Sequence, residues 1–147
     1  MPENNALEEA IKDAVRLHGH LGPFLVIGVR MGLLAKETLR SDPPRDNGLH
    51  VSATTPEKTP FSCVLDGIQA TTNCTIGNRK LTVKHSQEQI AANFSVQNPR
   101  RTLTLRVNSQ LVEDLSGKAS QGAAVDKLAW EVASMPDRYL FTVEMTK

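Results

Sequence analysis

Apolar positions recur at helical spacing near the start of the chain, where Leu7, Ile11, Ala14 and Val15 fall among charged neighbours. Asn5 is a candidate cap for this helix, Glu8 and Glu9 sit near its positive end, and the pattern stops near Leu17. A second helix is predicted from Pro23 to about Leu39, because proline suits a first helical position with Gly22 or Leu21 just outside. Leu25, Val26, Ile27, Val29, Met31, Leu33 and Leu34 make it apolar almost all round, as in a helix at the buried centre of a domain. Gly28 and Gly32, four residues apart, leave a smooth stripe where another backbone can approach; close packing is the simple explanation.

Beyond a turn at SDPPRDNG (41–48), LHVSATT (49–55) reads as a strand. Ser62 is a candidate cap for a short helix in CVLDGIQATTN (63–73), which Gly67 and the threonines weaken. LTVKH (81–85) is a strand candidate, and IAANFSV (90–96) and RTLTLRV (101–107) flank QNPR as a hairpin. Leu103, Leu105 and Val107 alternate with Thr102, Thr104 and Arg106, the pattern of a sheet with one wet face. Residues 112–115 and 123–134 have helical patterning, and YLFTVEM (139–145) predicts a closing strand. Helices mix with antiparallel strands without a βαβ rhythm, so the expected class is α+β, with N-terminal helices packed on a mainly antiparallel sheet. No repeat or linker divides the chain, and 147 residues suit one domain, 1–147.

Charge narrows the choice of partners. Seventeen Lys and Arg nearly cancel sixteen Asp and Glu, which argues against nucleic acid or an anionic membrane as partner. Aromatic residues are 4% of the chain, too few for a base-stacking platform. The polar, acidic start MPENNALEEA is unlike a signal peptide, and the longest apolar stretch (21–35) is too short and too broken to span a bilayer. A soluble, cytoplasmic protein is expected, in which the two cysteines are reduced thiols, ligands or nucleophiles rather than a disulfide.

The candidate chemistry lies in two places. LHGHLGPF (17–24) puts two of the four histidines around a glycine at the junction of the first two helices. A helix end accounts for part of this, since histidine can meet the last carbonyls; a metal or catalytic site accounts for it differently. Cys63 and Cys74 are eleven apart with no CxxC pair, weak evidence for a zinc finger. In a short helix, however, Cys63 and Asp66 share a face at i, i+3, and Cys74 can return beside them from the following loop. Thiolate and imidazole together favour zinc, and the carboxylate can orient a ligand or act as a base. Against this stand plainer roles: buried cysteines as small hydrophobes, Asp66 as a turn cap, and His50 and His85 as strand residues. GNRK (77–80) is basic and can face an anionic ligand, yet no P-loop, GxGxxG, GxSxG or HExxH motif is present.

HGHLGPFLVIGVRMG (18–32) followed by CVLDGIQATTNCTIGNRKL (63–81) resembles the FmdE-like family of formylmethanofuran dehydrogenase proteins, whose pattern is HGHxCPG and then C-x2-DGIQ-x4-CT-x-G. The second element matches at Cys63, Asp66, Gly67, Ile68, Gln69, Cys74, Thr75 and Gly77. The resemblance implies an α+β core domain, commonly a homodimer, that binds a divalent metal, often zinc. Its ligands here would be His20, Cys63 and Cys74, with His18 an alternative or supporting group. Asp66 and Gln69 would line the pocket, and Asp66 is the candidate base. The resemblance also implies a link to formylmethanofuran and one-carbon metabolism, or to a formylmethanofuran dehydrogenase-type enzyme. The alternative is a non-catalytic accessory, scaffold or metal carrier for a molybdenum or tungsten enzyme; a thiol redox protein is a third reading. Two departures stand out. Gly22 and Phe24 replace a cysteine and a glycine of the family pattern, and the paired cysteines of the family's C-terminal zinc ribbon are not in this sequence.

Overall fold

Alternating burial sorts the strand residues into a covered face and an open one. The computed structural model describes residues 4–147 apart from Asp42 and Pro44. Those two positions of the predicted 41–48 turn, and the first three residues of the polar N-terminal stretch, lie outside the described residues. Two helices come first, α1 (Asn4–His18) and α2 (Pro23–Leu39). Strand β1 (His50–Thr55) follows, then a single 3₁₀ turn (Phe61–Cys63) running directly into α3 (Val64–Thr72). Next come β2 (Leu81–His85), β3 (Ala91–Val96) and β4 (Arg101–Val107). The chain closes through α4 (Ser109–Ser120), α5 (Val125–Ser134), α6 (Asp137–Leu140) and β5 (Phe141–Thr146).

The five strands form one sheet in the order β2-β1-β3-β4-β5. β1 and β2 are parallel, and every other neighbouring pair is antiparallel. The fold is therefore α+β, as expected. Val51, Ala53, Phe94, Val96, Leu103 and Leu105 on the covered face join Phe24, Leu25, Ile27 and Met31 of α2 in the core. β5 departs from the simple alternation. Val143 and Met145 pair with core-facing Leu105 and Leu103 yet stay 53% and 43% exposed, because the helical layer does not extend over this edge. Alternation identifies a strand but does not say how far its cover reaches.

Two capping expectations are corrected. α1 begins at Asn4, so Asn5 lies inside its first turn instead of capping it. The 3₁₀ turn at Phe61–Cys63 absorbs Ser62, and Cys63 takes the position before α3 with no side-chain cap.

Arg30, the charge inside the apolar α2, is only 2% exposed, yet its burial is fully compensated. It donates to the carbonyls of Val132 (3.1 Å) and Ala133 (3.0 Å) at the end of α5 and to Asp137 Oδ1 (2.8 Å) at the start of α6. One guanidinium thus ties the C-terminal helices to the central one.

The stripe on α2 is occupied by α3. A Cβ on Gly28 would lie 2.1 Å from the Val64 carbonyl oxygen, and one on Gly67 would lie 2.3 Å from the Leu25 carbonyl oxygen. Gly32 meets Thr71 in the same way, 1.8 Å from its hydroxyl. The two helices therefore cross backbone to backbone, closer than any side chain allows. Gly67→Ala must push them apart and should lower unfolding free energy by about 2 kcal/mol or more in urea titration. Gly117→Ala, where nothing lies within 4 Å, should be neutral or stabilise by up to about 1 kcal/mol. Equal effects at both positions would contradict the close crossing.

Candidate functional site

The crossing of α2 and α3 determines what meets at the end of α1. His18 is the last residue of α1, and Gly19 turns the chain away at φ +105°, a left-handed conformation strained for any L side chain. Its N–H bonds back to the Val15 carbonyl (2.7 Å). His18 continues the stripe of Leu7, Ile11 and Ala14, four residues beyond the last, and so faces inward where α1 packs on α3. Asp66, in the first turn of α3, receives it: His18 Nδ1 lies 2.6 Å from Asp66 Oδ2. A carboxylate only accepts, so Nδ1 carries the proton and Nε2 presents a lone pair. That Nε2 is buried and has no hydrogen-bond partner. Asp66 is in turn held by Gln69, whose Nε2 donates to Oδ1 (3.1 Å), so both carboxylate oxygens are engaged.

These residues share an open pocket of about 310 Å³, lined by His18, Cys63, Asp66 and Gln69, with Leu65 and Ile76 among the apolar lining. Ile76 is 60% exposed, an apolar surface that sequence periodicity did not mark because it stands in a turn. His20 is exposed, and its ring centroid lies 4.6 Å from that of His18. Cys74 is buried but does not line the pocket; its Sγ lies 3.4 Å from the Leu49 carbonyl at the approach to β1. A Cβ at Gly22 would meet His20 Nε2 at 3.9 Å, so this is where the missing family sulfur would stand. Among the described residues, no three His, Cys, Asp or Glu side chains are gathered closely enough to hold a metal ion. The structure brings His18, Cys63, Asp66 and Gln69 together and leaves His20 at the rim and Cys74 apart.

Burial pushes the Cys63 thiol above the ordinary range, and the negative charge of Asp66 pushes it further; a backbone hydrogen bond opposes both. Cys74 is also raised by burial, against the lowering effects of the Thr72 hydrogen bond and the Lys80 charge. Neither is an activated thiolate in this state.

The family described as "FmdE, Molybdenum formylmethanofuran dehydrogenase operon" matches residues 17–142, which takes in both motifs and the whole pocket. A protein of Archaeoglobus fulgidus named "Probable S-adenosyl-L-methionine-binding protein" is 37% identical over 70 residues, 46% of this chain. The chain spans 18% of that protein's length.

Both thiols being raised, alkylation of the metal-free native protein should be slow near neutral pH. Its rate should still be climbing above about pH 8.5, the ordinary thiol value. A rate that levels off below that value would show a depressed thiol and contradict the assignment.

Proposed function

The chain belongs to the FmdE family, and from that premise we propose that it binds a divalent metal ion, zinc by preference, in the pocket between the end of α1 and the start of α3. The single observation that carries this reading is the buried, unpartnered Nε2 of His18, set by the Nδ1–Asp66 hydrogen bond. A histidine that ligates through one nitrogen commonly donates the other N–H to a carboxylate, which fixes ring and tautomer. Cys63 in the same pocket supplies the softer donor that favours zinc. The exposed His20 can complete a set of three by rotating its side chain toward His18.

In this assignment His18 is the primary ligand and Asp66 the positioning residue, with Gln69 holding Asp66. A bound zinc ion with an open position would supply Lewis acidity to a small substrate. What the chain's own residues do is orient one imidazole, surrender the Cys63 proton on binding, and shield one side of the site with Leu65 and Ile76. Because both oxygens of Asp66 are engaged, the pocket supports an accessory or metal-carrier role beside a formylmethanofuran dehydrogenase-type enzyme as readily as catalysis. The homodimer implied by the family belongs to the same reading, with Val143 and Met145 as an apolar edge it would cover. Among the described residues no helix is long and apolar enough to cross a membrane; free thiols at Cys63 and Cys74 fit a reducing cytoplasm.

Calorimetric titration of zinc into the metal-free, untagged chain should give about one ion per chain, with proton release. His18→Ala and Cys63→Ala should abolish binding, and Asp66→Asn should weaken it roughly 10–100-fold. His85→Ala, whose ring lies on the exposed end of β2, should leave it unchanged. Loss in Cys74→Ala with retention in Cys63→Ala would move the site to the other sulfur. No binding in the parent protein would end the reading.

A further inference from the structure

The open face of the sheet, away from the helices, carries a second cluster that the metal reading does not use. Strand register sets His50 across from Ser95, and Ser95 across from Thr102, in a single row. Arg79 and Lys80 flank this row at one end and Arg100 also borders it. These six residues line much of a surface hollow of about 280 Å³, and no Asp or Glu lines it. Among the described residues, the Arg79, Lys80 and Arg100 side chains make no ion pair. In a chain of formal net charge +1, three unpaired permanent cations beside one hollow are a local concentration and not a reflection of overall charge.

The turn carrying two of them is firmly set. Thr75 N–H donates to Asn78 Oδ1 (3.0 Å), Asn78 N–H returns to Thr75 Oγ1 (3.1 Å), and Lys80 N–H also donates to Asn78 Oδ1 (3.0 Å). His50 Nδ1 is held by the Gly48 carbonyl (2.8 Å), which leaves its Nε2 to the hollow. Ser95 and Thr102 add two hydroxyls that can donate.

We infer that this hollow binds the phosphate group of a small phosphorylated ligand. Guanidinium forks and an ammonium match a tetrahedral dianion with several acceptor oxygens, and hydroxyls from adjacent strands add weaker donors. A single-stranded nucleic acid is the less suited occupant, because no Phe, Tyr or Trp lines the hollow to stack a base. The site lies on the sheet face opposite the core and is independent of the His18 pocket.

Backbone amide NMR titration of the full chain with inorganic phosphate and with glucose 6-phosphate, at fixed ionic strength, tests this. Saturable shifts should concentrate at residues 79, 80, 95, 100 and 102, with the ester at least as tight as free phosphate. Arg79→Ala combined with Arg100→Ala, both exposed and therefore tolerated by the fold, should weaken binding about tenfold or more. Shifts reproduced by equal concentrations of chloride, or affinity unchanged in the double variant, would overturn the inference. Tighter binding of a short single-stranded RNA than of either phosphate would overturn it in favour of a nucleic acid.

Discussion

The contact between the backbones of α2 and α3 is the constraint on which the rest of the structure depends. Gly28 against the Val64 carbonyl and Gly67 against the Leu25 carbonyl allow no side chain between the helices. Helices packed through ordinary side chains stand about 8–10 Å apart; removing both Cβ atoms lets these two close further. α3 is nine residues long, too short to be stable alone, and its position is supplied by this crossing. Once α3 is fixed, its first turn carries Asp66, and the residue before it, Cys63, to the end of α1. The buried guanidinium of Arg30 anchors the other side of α2 to α5 and α6, so the central helix is fixed from both directions.

The chemistry follows from that geometry by a chain of hydrogen bonds. Gln69 holds Asp66, Asp66 holds His18 Nδ1, and the burial of the ring leaves Nε2 without a partner. Such an atom is costly when left alone, since water is excluded and no protein donor replaces it. A cation accepting that lone pair relieves the cost. Cys63 is in the complementary state: burial and the nearby Asp66 charge keep its proton on, so a metal must displace it. The pocket therefore exchanges protons for metal, and its affinity should fall as pH falls.

Much of the framework was legible in the residues, because periodicity reports which face of an element is covered. The span of α2, the β3–β4 hairpin and the wet face of the sheet all follow from it. The stripe of glycines on α2 announced a close neighbour, and the spacing of Cys63 and Asp66 placed them together. His18 was readable in principle, since it extends the stripe of Leu7, Ile11 and Ala14, while His20 lies past the helix end. What the sequence concealed was set by tertiary context. The 3₁₀ turn at Phe61–Cys63 displaced the expected Ser62 cap, and β5 looked like any closing strand although the helices leave it half uncovered. The row of cations beside Ser95 and Thr102 depends on strand register, which no local pattern in GNRK reveals.

Nitrogen-15 NMR of the histidine rings tests the central claim most directly. In the metal-free chain, His18 should be the Nδ1-protonated tautomer, with Nε2 unprotonated, and zinc should shift Nε2 of His18 while Nδ1 keeps its proton. A His18 ring protonated at Nε2, or one whose signals do not respond while zinc binds elsewhere, would contradict the account.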